Sequence, residues 1–243
     1  MSLPFRERLT MLMPPPYFYR RRVAEETRSG EPELAVLAEL VSGGTAVDIG
    51  ANQGIFAYAL ADIADRVVAF EPNPDYAAFA RWMLRGRAEV HQLALSDKSS
   101  RGTLHVPLSE EGMVLHLAGS LKRTHAQFRH NKTYDVEIRT LDDFGLTDVR
   151  FIKADVEGSE REVLEGARAT LERDRPVILL ELLSGTHEDP RAYAADICER
   201  FGYDAFIVQH GEKIPALPAI AALGKNSSWG TEIESRNVLF LPR

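Results

Sequence analysis

VDIGANQG, at residues 47–54, is the stretch of sequence that decides the fold. Val47 and Ile49 are β-branched apolar residues of the kind that favours buried strands. Gly50 and Gly54 permit a tight backbone turn after that strand. The apolar side chains that follow recur at helical spacing, so we predict a helix directly after the loop. The stretch therefore predicts a strand, a glycine-containing loop and a helix, which together begin a βαβ unit.

The rest of the chain repeats this alternation of short apolar runs and helical patterns. Such alternation is typical of a parallel sheet with helices on both faces. With the strand at 46–49, we predict strands at residues 66–70, 89–95, 151–154, 177–182, 203–208 and 238–241. Asn73 is predicted to cap a helix that starts at Pro74. Ser159 and Glu162 form a capping-box pattern before another helix. The sequence thus predicts an α/β fold with about seven strands in one sheet.

Two regions do not follow this pattern. Residues 1–40 are predicted to be an N-terminal extension with helical segments, including a helix from Glu33 to Leu40. Residues 41–243 are predicted to be the main domain. Within it, residues 99–135 form a predicted insertion with a strand near Thr103 to Val106. Insertions in α/β proteins tend to lie beyond the carboxyl ends of the strands, so we expect this one near the substrate cleft.

Both regions contain a cluster of residues whose role the sequence leaves open. Residues 17–22 combine aromatic side chains with three arginines. We interpret them as a solvated arm packed by two tyrosines, and the alternatives are a cover over the active site and a contact with an anionic partner. His116, His125 and His130 lie in the insertion and are candidates for a base, although histidines scattered in this way are more often surface or core residues.

The composition is that of an ordinary globular protein of 243 residues, 44% hydrophobic and 27% charged. The formal net charge of -7 gives no attraction to a phosphate backbone, so we expect no nucleic-acid partner. Cys198 is the single cysteine, which excludes an internal disulfide and suits a reducing cytosol. No run approaches the roughly 20 apolar residues of a membrane span, and the start of the sequence lacks a secretory pattern. We therefore expect a soluble, cytoplasmic protein.

An acid and two glycines lie at the end of the first strand, where α/β sheets bind ligands. The spacing from Gly50 to Gly54 is G-x-x-x-G, so the G-x-G-x-x-G fingerprint of dinucleotide binding is absent. Asp48 would repel a phosphate and favour a cationic amino group or a sulfonium. Glu71 follows the second strand, about 20 positions after Gly50, where an acidic side chain accepts hydrogen bonds from ribose hydroxyls. These residues predict a site for a positively charged nucleoside. The alternatives are a nicotinamide-dependent Rossmann oxidoreductase and a non-enzymatic nucleoside-binding module.

The chain resembles the FkbM-type methyltransferases in a series of motifs. The likeness is carried by DIGANQG at 48–54, FEPNP at 70–74, ALSD at 94–97, TLD at 140–142, IKADVEG at 152–158 and VLEGA at 163–167, and it continues over 176–181 and 237–240. Ala154 departs from the pattern, since family members often carry a larger aliphatic residue there. The resemblance implies a class I methyltransferase fold, with a Rossmann-like seven-stranded sheet whose last strand is antiparallel. It also implies S-adenosylmethionine as the methyl donor.

Matched position by position, the resemblance also implies a set of cofactor-binding residues. Asp48, with the glycines and Asn52 of the loop, would surround the methionine part, and Glu71 would bind the ribose. Leu95 and Ser96 would contact the adenine, while Asp155 would lie near the sulfonium. The full predicted set is Asp48, Gly50, Ala51, Asn52, Gly54, Glu71, Pro72, Leu95, Ser96 and Asp155.

Asp155 and Glu157 are the predicted catalytic residues, in a reaction that we expect to be O-methylation of a small metabolite or sugar. Alternation at a strand end places both carboxylates on one side, toward the cleft. A hydroxyl acceptor needs a base, and the candidates are Asp155 and the insertion histidines. Together with Glu181, the two carboxylates are also a candidate site for a divalent cation. We favour the alternative that Glu157 bonds backbone N–H groups at the next helix start and Glu181 ends a strand, so no metal site is predicted. The sequence leaves the oligomeric state open.

Overall fold

The computed structural model describes residues 14–29, 31–107, 121, 131–183, 189–222 and 233–243. The helices are α1 (Pro15–Ser29), α2 (Leu37–Leu40), α3 (Ile55–Leu60), α4 (Pro74–Met83), α5 (Glu160–Glu165), α6 (Arg168–Asp174), α7 (Pro190–Phe201) and α8 (Ala216–Ala222), with short 3-10 helices at Pro32–Ala35 and Asp142–Phe144. The strands are β1 (Thr45–Ile49), β2 (Arg66–Phe70), β3 (Glu89–His91), β4 (Ala94–Leu95), β5 (Ser100–Pro107), β6 (Asn131–Arg139), β7 (Val149–Ala154), β8 (Val177–Glu181), β9 (Tyr203–Gln209), β10 (Glu212–Pro215) and β11 (Asn237–Pro242). Among these helices, none has both the length and the apolar character needed to cross a lipid bilayer.

Within the described residues, the main sheet has the strand order β10-β9-β11-β8-β7-β1-β2-β3. The strands from β8 to β3 are parallel, whereas β11 is antiparallel to both β8 and β9. The α/β class and the antiparallel last strand are therefore confirmed. The predicted count of seven strands is wrong, because β10 adds an eighth strand antiparallel to β9 at the edge. β10 is mostly exposed and begins with Glu212 and Lys213, so it lacks the apolar run from which the other strands are predicted.

The strand predicted at 89–95 is in fact two strands that belong to two sheets. β3 ends at His91 in the main sheet, and β4 pairs in parallel with β6 in a small sheet of order β4-β6-β5. Leu93 is buried in the main core, while the next residue, Ala94, is buried in a separate core on the small sheet. The run is divided because its second half pairs with β6, which lies far along the chain. No local sequence pattern predicts this pairing.

The small sheet is formed largely by the predicted insertion. β5 and β6 pair in an antiparallel manner along their whole length, and the predicted strand at Thr103–Val106 is confirmed as part of β5. The core of this sheet consists of Ala94, Leu104, Val106, Val136 and Ile138. His116, His125 and His130 lie outside the described residues.

The aromatic residues of α1 are buried against the main domain. Phe18 and Tyr19 are 4% and 0% exposed. The ring of Tyr19 stacks on that of Tyr58 with a centroid distance of 4.3 Å, and Phe18 packs edge-on against Phe79. The interpretation of residues 17–22 as a solvated arm is therefore wrong, because burial of two large aromatic side chains fixes this segment to the fold.

The helix predicted from Glu33 to Leu40 is interrupted. A 3-10 turn and α2 flank Val36, whose φ of -109° and ψ of 4° are not helical. The side chain of Glu33 is fully buried and accepts hydrogen bonds from Ser235 and Asn237 next to and within β11. These long-range contacts hold the first turn in place, so the segment does not continue as one regular helix.

The two predicted helix starts have different outcomes. Asn73 caps α4 as predicted, since its side chain accepts a hydrogen bond from Asp75 N at 3.0 Å. The prediction of a capping box before α5 is wrong, because Ser159 makes no capping hydrogen bond there. Glu160 instead accepts hydrogen bonds from the N–H groups of Val156 and Gly158 at 3.1 and 3.3 Å. The Glu160 carboxylate thus accepts hydrogen bonds from backbone N–H groups of the loop before α5. These bonds are present in place of the predicted capping box.

Candidate cofactor and acceptor site

A cavity of about 490 Å³ opens at the carboxyl ends of β1, β2, β7 and β8. Its volume falls within the range of about 300–1,000 Å³ that is usual for small-molecule sites. Most of the predicted site residues line it, namely Asp48, Gly50, Ala51, Asn52, Glu71, Pro72, Leu95, Asp155 and Glu157. Gly54 and Ser96, also predicted to contact the cofactor, lie outside the cavity wall.

Gly50 forms part of the cavity floor at a point where no side chain fits. Its φ is +76°, and a Cβ there would lie 1.9 Å from the carbonyl oxygen of Asp155. The N–H groups of Gly50 and Ala51 both donate to the carbonyl of Phe70, at 2.9 and 3.0 Å, so the loop is tied to the end of β2. Asn52 also has a positive φ, of 50°, which asparagine tolerates better than most residues. The loop therefore turns sharply after β1 and packs closely against the turn that follows β7.

Gly54 supports the loop from behind. Its φ is +80°, and a Cβ there would lie 2.6 Å from Leu84 Cδ1 and 3.2 Å from the Tyr19 hydroxyl. That hydroxyl donates a hydrogen bond of 2.8 Å to the carbonyl of Gln53. The glycine thus allows α1 to pack against the back of the loop, so it shapes the loop that the predicted ligand contacts without facing the cavity.

Asp48 is a buried acid in the wall of the cavity. The residue is 1% exposed, and its Oδ2 accepts a hydrogen bond of 3.0 Å from Ala57 N in α3. Its Oδ1 has no hydrogen-bond partner among the described residues. Burial raises the pKa of Asp48 to about 6, although Lys153 and the Ala57 amide act in the opposite direction. A cationic or N–H-bearing ligand would satisfy this oxygen and favour the ionised form.

Glu71 links the ends of the first two strands. Its two carboxylate oxygens accept hydrogen bonds from Asn52 N at 2.7 Å and from Asn73 N at 2.8 Å. The side chain therefore holds the glycine loop against the start of α4. Burial raises the pKa of Glu71 to about 7, against the lowering effect of those two amides. Each carboxylate oxygen has further lone-pair capacity, so Glu71 remains able to accept bonds from ribose hydroxyls.

One wall of the cavity is apolar and is shared by the two sheets. It contains Leu93, Ala94 and Leu95 from the β3–β4 run and Leu104, Val106 and Leu121 from the insertion. Ser96 follows this wall but packs elsewhere, because its N–H donates to Arg139 O at 2.9 Å and its carbonyl lies against Gly166. A flat aromatic base suits such a wall, and the insertion supplies half of it.

Three carboxyl groups gather on the opposite side. Ligating oxygens of Asp155, Glu157 and Glu181 all lie within 4.8 Å of one another. The prediction that Asp155 and Glu157 point to the same side is consistent with their shared place in the cavity wall. Glu160 accepts hydrogen bonds from two of the backbone N–H groups before α5, those of Val156 and Gly158, and the interpretation of Glu157 as a partner of such groups stays a prediction. Like charges this close cannot all be ionised without compensation.

The surroundings of the three carboxyl groups give them different pKa values. Burial acts to raise the pKa of Asp155, yet Lys153, with its Nζ 3.2 Å from Asp155 Oδ2, holds that pKa below its ordinary range. Burial and the charge of Asp155 raise the pKa of Glu181, which shares a hydrogen bond with Asp155. Burial and the same charge raise the pKa of Glu157 to about 7. Glu157 is therefore the member of the group best matched to exchange a proton near neutral pH.

Several charged residues of the cavity were not predicted from the sequence. Lys153 is one of them, and its signal was a lysine inside the otherwise apolar strand β7. The others come from the two ends of the chain, and they are Arg22, Glu26, Glu31 and Arg236. Arg236 lies 3.4 Å from Glu31 and 3.5 Å from Glu181, and thus joins the N-terminal segment to β8. No local pattern marks these residues, because only the folded chain brings both ends to the cavity.

The sheet topology, with cavity-lining loops at the carboxyl ends of its first strands, is that of a class I, Rossmann-like methyltransferase fold. The sequence pattern of the Methyltransferase FkbM domain matches residues 48–206, more than half of the chain. The chain therefore belongs to the FkbM methyltransferase family, whose members depend on S-adenosylmethionine.

Two relatives illustrate this membership. The 2-O-methyltransferase NoeI of Sinorhizobium fredii is 29% identical over 176 residues, which are 64% of this chain and 72% of that protein. The crystal structure of an FkbM methyltransferase from Methylobacillus flagellatus KT superposes with a TM-score of 0.52 at 17% identity. That alignment covers 82% of this chain, and this chain spans only 43% of that protein. The structural likeness supports the fold alone.

The residues of the cavity fit S-adenosylmethionine. The floor at Gly50 is fixed by its close packing on the carbonyl group of Asp155. Asp48 has a buried oxygen that lacks a partner among the described residues, and the ligand carries two positive groups, an ammonium and a sulfonium. Among the described residues, seven carboxyl groups and three basic side chains line the cavity, so its charge favours a cation when the carboxyl groups are ionised.

Proposed function

We propose that the chain transfers the methyl group of S-adenosylmethionine to a hydroxyl oxygen of a small metabolite or glycan. The observation that carries this proposal is that the glycine-floored loop and three carboxyl groups share one cavity. The relative from Sinorhizobium fredii is described as a 2-O-methyltransferase, which agrees with a hydroxyl acceptor.

The cofactor end of the cavity is assigned to the loop after β1 and its neighbours. Asp48, Gly50, Ala51 and Asn52 would hold the methionine part, and Glu71 with Pro72 the ribose. Leu95 and the apolar wall around it would cover the adenine. When bound, the cofactor supplies a methyl group on a positively charged sulfur. Fixing the acceptor in line with that methyl group is worth roughly 7–11 kcal/mol of the barrier.

Glu157 is the proposed base. Because its pKa lies at about 7, its carboxylate is present at neutral pH and still binds a proton readily. In the transfer, the acceptor hydroxyl gives its proton to Glu157, and its oxygen forms the bond to the methyl carbon. The electron pair of the broken carbon–sulfur bond stays on sulfur. Asp155, kept ionised by Lys153, is the less basic carboxylate and is assigned to the sulfonium side.

The acceptor end is assigned to residues outside the family match. Arg22, Glu26 and Glu31 from the N-terminal segment and Arg236 before β11 line the cavity together. Carboxylates accept hydrogen bonds from hydroxyls, and guanidinium groups donate to ether and hydroxyl oxygens. An acceptor with several negative charges would be repelled by the excess of carboxyl groups. A neutral compound rich in hydroxyl groups suits this end of the cavity.

No divalent cation is included in the proposal, although Asp155, Glu157 and Glu181 are close enough to ligate one. Lys153 and Arg236 lie 3.2 Å and 3.5 Å from oxygens of Asp155 and Glu181. These ion pairs already use oxygens of two of the three carboxyl groups.

A screen of hydroxylated metabolites and glycans with methyl-labelled S-adenosylmethionine tests the proposal. We expect label in at least one neutral polyhydroxyl compound, as an ether, with the same yield in the presence and absence of a chelator. Label found exclusively on nitrogen or carbon acceptors would contradict the assignment to oxygen. Activity that disappears with the chelator and returns with Mg²⁺ would contradict the metal-free arrangement.

A further inference from the structure

A lysine with a buried side chain lies in the wall of the cavity. In the proposed methyl transfer, this side chain neither forms a bond nor exchanges a proton. Lys153 is 4% exposed, and in the β1–β7 register it is paired with Asp48. Its Nζ lies 3.2 Å from Asp155 Oδ2 and 4.9 Å from the centre of the Phe56 ring. A buried ammonium is costly unless its surroundings compensate its charge, so the neighbouring groups decide what this lysine does.

Among the described residues, the charged groups near Lys153 are almost all acidic, and they come from β1, from β8, from the turn after β7 and from the two ends of the chain. They are Glu31, Glu33, Asp48, Asp155, Glu157, Glu181 and Arg236. Burial would lower the pKa of Lys153, but Asp155 and Asp48 raise it above its ordinary value. The ammonium in turn lowers the pKa of both carboxyl groups. The charge states of the three side chains are therefore linked.

We propose that Lys153 is a positioning residue for the cofactor, whose ammonium keeps Asp48 and Asp155 ionised so that the cavity presents carboxylates to a sulfonium at neutral pH. This inference rests on the proposed function, because it requires S-adenosylmethionine in this cavity. Without the ammonium, two buried carboxyl groups in one small site would take up protons at higher pH. The cavity would then lose the negative groups that face the cofactor.

Calorimetric titration of S-adenosylmethionine between about pH 5 and about pH 9 tests this role through the pH at which the affinity begins to fall. The variants are Lys153→Met, which removes the charge, and Lys153→Arg, which keeps it. Lys213→Met is the matched control, because Lys213 lies on β10 at the far edge of the sheet and pairs with Glu39.

We expect Lys153→Met to move this pH upward by about one unit or more, which weakens binding roughly tenfold at pH values below the shifted midpoint. Lys153→Arg and Lys213→Met should keep the profile of the unmodified chain. If Lys153→Met does not fold, Lys153→Gln takes its place with the same expected shift. If Lys153→Met or Lys153→Gln leaves the pH dependence of the S-adenosylmethionine affinity unchanged, the proposal is overturned. An equal shift in Lys153→Arg would also overturn it.

The same titration separates this inference from the proposed function. An unmodified chain that binds S-adenosylmethionine at no pH would contradict the cofactor assignment itself. Binding by the unmodified chain together with an unshifted profile in the neutral variant would remove Lys153 from its role and leave the cofactor assignment intact.

Discussion

Glu157 occupies an unusual backbone conformation, with a φ of 53°, next to Gly158 and beside two other carboxyl groups. The strain of a left-handed non-glycine residue tends to be kept where function needs a particular geometry. In this case the conformation belongs to the turn that follows β7 and leaves Glu157 in the cavity wall. Its position and its raised pKa together make it the residue on which the proposed proton transfer depends.

Replacing Glu157 with glutamine should therefore affect turnover more than cofactor binding. We expect Glu157→Gln to lower kcat by about 10²–10⁴-fold, because the amide cannot accept the acceptor proton. The dissociation constant for S-adenosylmethionine should change by only a few fold, as measured by calorimetry. Glu172→Gln is a suitable control, since Glu172 is exposed and pairs with Arg168 on the surface. Turnover equal to that of the unmodified chain would exclude Glu157 as the base.

The glycine floor gives a second prediction at this scale. Gly50→Ala should destabilise the chain by more than about 1 kcal/mol and abolish measurable cofactor binding, because the new Cβ collides with the Asp155 backbone. Gly86→Ala is the matched control. Gly86 has a similar φ of +79°, but a Cβ there would meet nothing within 4 Å. Chemical denaturation and calorimetry on both variants separate the collision from the backbone strain. Equal losses of stability and of cofactor binding in Gly50→Ala and Gly86→Ala would show that a Cβ at Gly50 does not collide with the Asp155 backbone.

At the scale of single residues, local sequence was enough for the cofactor loop but not for its supports. Asp48, Gly50 and Glu71 were predicted because strand ends and glycine spacing are local features, and all three line the cavity. Gly54 packs against Tyr19 of α1, which is far away in the sequence, and its role as a cofactor contact stays a prediction. Ser96 donates its backbone N–H to Arg139 of β6, and its role as an adenine contact stays a prediction. Neither contact has a signature in the surrounding residues.

Among the elements, α1 has a larger part than an extension would suggest. It packs on α3 and α4 through Tyr19 and Phe18, supports the back of the glycine loop, and contributes Arg22 and Glu26 to the cavity. The predicted boundary between residues 1–40 and the main domain stays a prediction. The contacts imply that cofactor binding depends on this helix.

Tyr19→Phe tests that dependence with the removal of a single hydroxyl. The ring and its stacking on Tyr58 are retained, while the bond to the Gln53 carbonyl is lost. We expect a loss of about 0.5–1.5 kcal/mol in the free energy of unfolding and a weakening of S-adenosylmethionine binding by several fold. Tyr17→Phe serves as the control, since Tyr17 is 61% exposed. If the affinity for S-adenosylmethionine is identical in both variants, α1 does not stabilise the loop after β1 for cofactor binding.

The order of elements was largely predictable, whereas their partners were not. β1, β2, β7 and β8 are apolar runs that a parallel sheet buries on both faces, and their positions follow from that property. β10 was missed because an exposed edge strand needs no apolar run. The division between β3 and β4 was missed because it is decided by pairing with β6, a contact between distant segments.

For the molecule as a whole, the acidic cavity makes cofactor binding dependent on pH. The pKa values of Asp48 and Glu71 are about 6 and about 7, because both groups are buried. A bound cation favours their ionised forms and lowers both values, so binding releases protons in this range. The affinity for S-adenosylmethionine should be constant above about pH 7 and should fall as the pH decreases through 7 and 6. Calorimetry in a pH series measures this, and an affinity that rises on acidification would contradict it.

The same raised pKa values affect the stability of the ligand-free chain in the opposite direction. A carboxyl group whose folded pKa exceeds its unfolded value of about 4 is penalised when ionised, so its contribution to stability is lost as the pH rises from about 4 to about 7. The cofactor compensates that penalty. The increase in Tm that the cofactor causes should therefore be larger at pH 8 than at pH 5.5.

The most direct test of the central claim is a calorimetric titration of the unmodified chain at about pH 8, above the raised pKa values, with S-adenosylmethionine and, separately, with NAD. We predict saturable binding of S-adenosylmethionine at one site for each chain and no heat of binding with NAD. Saturable binding of NAD without any response to S-adenosylmethionine would contradict the assignment of the glycine-floored cavity to a sulfonium cofactor.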